Sequence, residues 1–222
     1  MRLLVTGGAG FIGANFVHRA LADGHEVTVY DALTYAGNLT NLAGLDDRAD
    51  YRFVHADVRD GETLVAAMRG HEAVVHFAAE SHVDRSIADP ARFVSTNCEG
   101  TATVCRAALK VGLDRVLHVS TDEVYGSIAV GSFAESDALA PSSPYSASKA
   151  ASDLIALSYY LTHGLPVVVT GQPTTTAVSS FPRRSSLYSP PSCCEASRSP
   201  CMATGRTSGT GATCTTTAMR WT

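Results

Sequence analysis

No stretch of the 222 residues is apolar for the length that spans a bilayer, and Met1-Arg2 lead directly into a short strand pattern rather than a secretory leader. A cytoplasmic protein with no membrane partner is expected. Basic excess is missing as well. The 17 Lys and Arg against 21 Asp and Glu leave a net charge of −4, which argues against a nucleic-acid partner because a phosphate-binding surface needs positive charge. Nor do the six cysteines read as a disulfide framework. Cys98 and Cys105 lie seven apart in a helical stretch, and Cys193, Cys194, Cys201 and Cys214 crowd the end at a spacing that matches no zinc ribbon or finger. No metal is expected. With 45% apolar and 17% charged residues, the length allows one large domain, or one domain plus a fragment.

The shortages concentrate at one end. Residues 1–170 hold 12 basic and 20 acidic side chains, whereas residues 171–222 hold 5 and 1, so the balance passes from −8 to +4. This tail has 20 Ser or Thr, a single Leu, and no Ile, Asn, Asp, His or Lys. It follows neither hydrophobic period and carries too little apolar surface to offset its ordering entropy, so a disordered, low-complexity tail is expected.

Before the tail, short apolar strands alternate with helical patterns. Strands are expected at Leu3–Val5, Glu26–Tyr30, Tyr51–His55, Ala73–Phe77, Arg115–Ser120 and Pro166–Thr170, and helices at Phe11–Leu21, Gly61–Arg69, Arg92–Val111 and Tyr145–Leu161. This order implies an α/β fold, a doubly wound parallel sheet covered on both faces, that stops in mid-sheet.

Gly7, Gly10 and Gly13 follow the first strand and open the first helix. A glycine cluster alone could be an ordinary βα turn. Here the positions suit a sharp turn, close backbone approach to a pyrophosphate and tight helix–sheet packing, with the anion over the helix N-terminus. Asp31 ends the second strand about 20 residues on, where a carboxylate accepts ribose hydroxyls and repels a 2′-phosphate, favouring NAD over NADP. Asp57 and Val58, after the third strand, suit the edge and face of an adenine ring. Together these features predict NAD as the cofactor.

Tyr145 and Lys149 stand four apart at the start of a helix, on one face. The ammonium should favour phenolate and lower the pKa of Tyr145, making it a usable base. Thr121, Asp122 and Glu123 close the fifth strand at the sheet edge where such folds bind ligands. They could be a helix-start cap. Beside a redox site, two carboxyl groups also suit β-elimination of water, which needs an acid and a base.

The glycine motif with the Tyr–Lys pair resembles the extended short-chain dehydrogenases of the Rossmann type that act on nucleotide sugars. The stretches Asp31–Leu39, Ala78–Ser86 and Thr121–Glu123 resemble the dTDP-glucose 4,6-dehydratase family in particular, over about residues 1–170. The resemblance implies that dTDP-glucose is the partner and that Tyr145 takes the 4-hydroxyl proton with Thr121 and Lys149 assisting. It implies that Glu123 removes the C5 proton and Asp122 protonates the departing 6-hydroxyl. It places Gly7, Gly10, Phe11, Ile12, Gly13, Asp31, Leu33, Thr34, Asp57, Val58, Ala78, Ala79, Thr96, Tyr145 and Lys149 on NAD, and Ser81 with Thr121 on the sugar nucleotide. Family members pair through a bundle of the 92–111 and 145–161 helices, so a homodimer is allowed. Other readings are another NAD-dependent nucleotide-sugar epimerase or dehydratase, or a non-catalytic NAD-binding fragment.

The family's substrate domain has no counterpart in residues 171–222, yet its coding bases can be read there. Pro173–Ala177, regrouped from each third codon base, permits the family's Asn-Asn-Tyr-Gly, and the same offset permits family-like segments from Phe181 and from Met202. The expectation is a reading-frame shift near Thr170, with residues 1–170 an NAD-binding domain and residues 171–222 out of frame. A chain so altered should be impaired in turnover.

Overall fold

A computed structural model describes residues 1–128 and 131–172; the tail beyond, with its four cysteines and its expected disorder, lies outside the described residues. Six parallel strands form one sheet: β1 (Arg2–Thr6), β2 (Glu26–Asp31), β3 (Tyr51–His55), β4 (Ala73–His76), β5 (Arg115–Thr121) and β6 (Val167–Gln172). Their order is β3-β2-β1-β4-β5-β6. The order reverses between β1 and β4, the switch point outside whose carboxyl ends doubly wound sheets hold ligands. β6 pairs with β5 from Val116↔Val167 through Thr121↔Gln172.

Each face of the sheet has its own core. Leu3 and Val5 of β1 pack with Val27, Val29, Ala73 and Val75 under Ala14, Val17 and Leu21 of α1 (Phe11–Ala22). Leu4, between them in sequence, points the other way and joins Val74 and Val116. That face is covered by Leu64 and Met68 of α2 (Gly61–Met68), Val104 and Ala108 of a later helix (Gly100–Val111), and Ala156 of a last one (Pro144–His163). A strand buried on both faces has no need of alternation, and this is why β1 and β4 read as short apolar runs.

The expected helix at 92–111 proves composite, and a short helix missing from the expectation precedes it. The chain forms α3 (Val83–Ala88), α4 (Pro90–Phe93), a π-helical turn (Val94–Glu99) and then α5 (Gly100–Val111). Pro90 stands at the start of α4, where a missing N–H costs nothing, and Asp89 caps it. The wide turn brings buried Asn97 to the backbone of Glu80, as acceptor at 2.8 Å and donor at 3.0 Å, and lets it donate to Ser148 Oγ at 2.8 Å. A side chain committed to these long-range bonds gives a reason for the bulge that no local pattern contains. α6 (Pro144–His163) begins with Ser143 and Ser146 capping each other and ends at Gly164 in the left-handed conformation, φ 69°. Among the described residues, no helix is long and apolar enough to cross a membrane.

Candidate active site

At the switch point the loops after β1 to β5 enclose a cleft of about 690 Å³, within the usual size of a cofactor site. Gly7, Gly10, Phe11, Ile12 and Gly13 form one wall. Gly7 takes φ +70°, its N–H donates to Tyr30 O at 2.9 Å, and its carbonyl accepts from Gly10 N–H at 3.2 Å. A Cβ on Gly7 would meet Ala78 N at 2.5 Å, and one on Gly13 would strike the Gly7 carbonyl with Gly8 Cα at 2.9 Å. The crevice is therefore shaped by the absence of side chains, and the N-terminal N–H groups of α1 stand open to an anion.

Asp31 is buried at the end of β2. Its Oδ2 accepts Ala9 N–H at 2.9 Å and its Oδ1 accepts Leu33 N–H at 2.8 Å. The carboxylate thus braces the glycine loop while lining the cleft, each oxygen keeping lone pairs for further donors. Gly37 fits tightly beside it: a Cβ there would lie 2.7 Å from Asp31 Oδ1 and 3.0 Å from Leu33 Cα, so a side chain would displace the carboxylate. Asp57, the second acid of the cleft, is forked by Arg59, which bonds both oxygens and holds the carboxyl below its usual range. Buried Tyr30 donates to Asp57 O at 3.0 Å and fixes the same loop.

Beneath these lies the Tyr–Lys pair. Lys149 is almost wholly buried and donates from Nζ to Val119 O at 2.7 Å. Tyr145, on the cleft wall, is influenced by Glu123, Thr121, Tyr35 and Asp122, so the structure gathers these residues around the phenol. The expected lowering of its pKa is not found. Burial first, then the carboxylate of Glu123, push it up to about 12, while the Thr121 hydroxyl pulls the other way. Desolvation of the phenolate outweighs any help from the lysine, which is itself lowered to about 8 by burial. Glu123 is exposed as a residue, yet partial desolvation of its carboxyl, and then Asp122, raise it. Thr121 also caps the 3₁₀ turn Asp122–Tyr125, accepting from Glu123 N–H at 3.3 Å, so the capping reading and the cluster reading both hold.

Of the residues expected to hold the cofactor, all but Leu33 line the cleft; Leu33, at φ 50°, instead packs partly buried against the core under α1. Ser81 lines it and its N–H donates to Tyr35 Oη at 3.3 Å, while Arg85 lies 4.0 Å over the Tyr35 ring, so two motifs distant in sequence meet here. Thr121, Asp122 and Glu123 flank Tyr145 rather than the cleft itself. Sequence reasoning missed Tyr30, Arg59, Gly37, Ser120 and the Glu80–Arg92 ion pair at 2.7 Å, all in the lining. Arg59, two residues past Asp57, carried a legible signal. Glu80 and Arg92 did not, since their pairing depends on the unanticipated α4. Among the described residues, no group of three or more His, Cys, Asp or Glu is placed to hold a metal ion.

The family described as GDP-mannose 4,6 dehydratase matches residues 4–180. A dTDP-glucose 4,6-dehydratase of Streptomyces niveus is 53% identical over 176 residues, covering 77% of this chain and 52% of that protein. The low-salt glycan biosynthesis protein Agl12 of Haloferax volcanii is 53% identical over 171 residues, covering 77% and 55%. The solved dTDP-glucose 4,6-dehydratase of Streptomyces venezuelae, with NAD bound, is 56% identical with a TM-score of 0.74, covering 76% of this chain and 54% of that one. The chain spans about half the length of the curated relatives it matches.

Proposed function

The chain belongs to the GDP-mannose 4,6 dehydratase family, and from that premise we propose that it carries the NAD-binding and catalytic half of a dTDP-glucose 4,6-dehydratase. The single observation that carries this reading is the meeting of Tyr145, Thr121, Asp122 and Glu123 beside a glycine-walled dinucleotide cleft. One acid–base pair is what a dehydrogenase needs. Two further carboxyl groups equip the same site to eliminate water.

The cleft fits the cofactor: a crevice that a Cβ would fill, helix N–H groups facing it, and Asp31 for the ribose. When bound there, against the glycine turn and Asp31, NAD would supply a reversible hydride acceptor for the sugar. The protein's own residues move the protons. Tyr145 takes the proton of the 4-hydroxyl, with Thr121, whose hydroxyl favours phenolate, and Lys149 assisting. Glu123, whose raised pKa makes it a stronger base than an ordinary carboxylate, removes the proton at C5. Asp122 delivers a proton to the leaving 6-hydroxyl. Ser81 contacts the sugar nucleotide, and Thr96 the cofactor.

The change of composition after residue 170 supports a shifted reading frame, which the nucleotide sequence around codon 170 tests directly. The 222-residue chain should bind NAD and turn over little, because about half of the relatives' length, with no counterpart in the tail, remains unmatched. Exposed Leu154, Leu157, Tyr160 and Leu161 on α6 support pairing of two copies.

The test is NAD titration of this chain together with conversion of labelled dTDP-glucose by a frame-restored protein. Asp31→Asn should weaken NAD about 10- to 100-fold, the loss of one or two charge-assisted hydrogen bonds. Unchanged affinity in that variant, or no loss of water from dTDP-glucose by the restored protein, would refute the assignment.

A further inference from the structure

Behind the Tyr–Lys pair lies a buried polar layer that the proposed chemistry does not use. Asp153 follows Lys149 by one helical turn on α6, and both side chains are buried, at 6% and 5% exposure. Ser120 donates to Asp153 Oδ2 at 2.6 Å. His118 Nε2 lies 3.0 Å from Asp153 Oδ1 and 3.1 Å from Ser152 Oγ, and Ser152 in turn donates to Lys149 O at 2.7 Å. His118 Nδ1 is buried with no hydrogen-bond partner, which fits a neutral ring carrying its proton on Nε2. His76, on β4, is 5.3 Å away between ring centroids and bonds Thr6 Oγ1 at 2.6 Å and Thr101 Oγ1 at 3.1 Å. Burial holds both histidines well below their usual pKa.

The charges in this layer have to balance, because a buried ion without a counter-charge is strongly disfavoured. The hydrogen-bond partner of Lys149, Val119 O, is neutral. Asp153 accepts from a neutral hydroxyl and a neutral imidazole. We infer that Asp153 is a positioning residue whose carboxylate, oriented by Ser120 and His118, is the buried counter-charge that keeps Lys149 an ammonium. Burial lowers Lys149 to about 8 and Asp153 opposes that fall; Cys98, from the π turn, is the other titratable group that favours the ammonium. His76 and His118 face the same space from β4 and β5. Without the carboxylate, Lys149 would lose its proton near neutrality, and the Tyr145 phenolate would lose its cation. That catalytic consequence rests on the proposed function; the charge pairing does not.

The two can be told apart because the chain has just two lysines, Lys110 and Lys149, so 13C-labelled lysine gives two side-chain signals to titrate by NMR. In D153N the Lys149 midpoint should drop by about one pH unit or more, as removal of a nearby opposite charge does. Lys110 should stay put, and D153E should restore Lys149. A Lys149 midpoint unchanged in folded D153N overturns the inference, whether or not the protein turns over sugar. If D153N does not fold, the reciprocal variant K149M decides. The Asp153 carboxyl signal, identified by its loss in D153E, should then titrate about one unit higher, since coupling between two sites is mutual. No displacement there overturns the inference equally.

Discussion

Gly7→Ala should abolish measurable NAD binding, raising Kd at least about 100-fold, and should cost about 2–5 kcal/mol of stability. Two separate effects add. A residue with a Cβ loses roughly 1–2 kcal/mol in the left-handed conformation that Gly7 occupies at φ +70°. The new methyl would also sit 2.5 Å from Ala78 N and 2.7 Å from Ala78 Cα, backbone atoms that can move only if the loop after β4 moves, and overpacking of this kind costs about 1–3 kcal/mol. That loop carries Ala78 and Ala79 of the cleft lining, so relief of the clash distorts the site. Gly24 is the matching control: its φ is +83°, yet a Cβ there meets nothing within 4 Å. Gly24→Ala should show the conformational cost alone, with NAD affinity intact. Calorimetric titration with NAD and urea unfolding measure both quantities. Affinity within threefold of the unaltered chain in Gly7→Ala would mean that the dinucleotide does not lie over this turn.

Tyr145→Phe, made in the frame-restored protein, should lower kcat about 10²- to 10⁴-fold while leaving NAD affinity nearly unchanged, the range ascribed to one positioned acid–base group. The ring stays packed edge-on to Phe93, at 6.4 Å between centroids, so the substitution removes the hydroxyl and little else. The pH dependence follows from the pKa of about 12, set by burial and the Glu123 carboxylate. A base held mostly protonated gains activity as pH rises towards its pKa. The kcat/KM of the unaltered protein should therefore climb between pH 6 and 8, and more steeply than that of Tyr145→Phe. Glu123→Gln should remove a negative neighbour and bring the Tyr145 pKa down, at the cost of the C5 proton abstraction. A Tyr145→Phe protein with full turnover would show that another group takes the hydroxyl proton.

How much of this was legible beforehand varies with the range of the forces involved. β2, β3 and the span of α1 read correctly to within a residue because each is a short segment with its own hydrophobic pattern bounded by turn residues: β2 is buried from Val27 on, the edge strand β3 is half-exposed, and α1 buries one stripe. The 92–111 segment is helical as its apolar spacing predicts, but the π turn inside it was not legible, because the hydrogen bonds of Asn97 to Glu80 and Ser148, far apart in sequence, widen one turn. Ser143 with Ser146 is a local capping pattern that places the start of α6 at Pro144, one residue before the expected Tyr145.

The alternation of strands and helices, the glycine turn and the acid at the end of β2 were dictated along the chain, since each depends on neighbours a few residues away and on the steric freedom of glycine, whereas the lateral order of the strands was fixed by long-range pairing. The ionisation of Tyr145 and Lys149 was decided only in three dimensions. A pKa is set by how much water is excluded and by which charges lie within a few ångströms, and here those come from β5, the turn after it and the π turn as well as α6. Spacing in a helix can bring a phenol and an ammonium to one face, but whether the phenol there becomes a base depends on everything packed against that face.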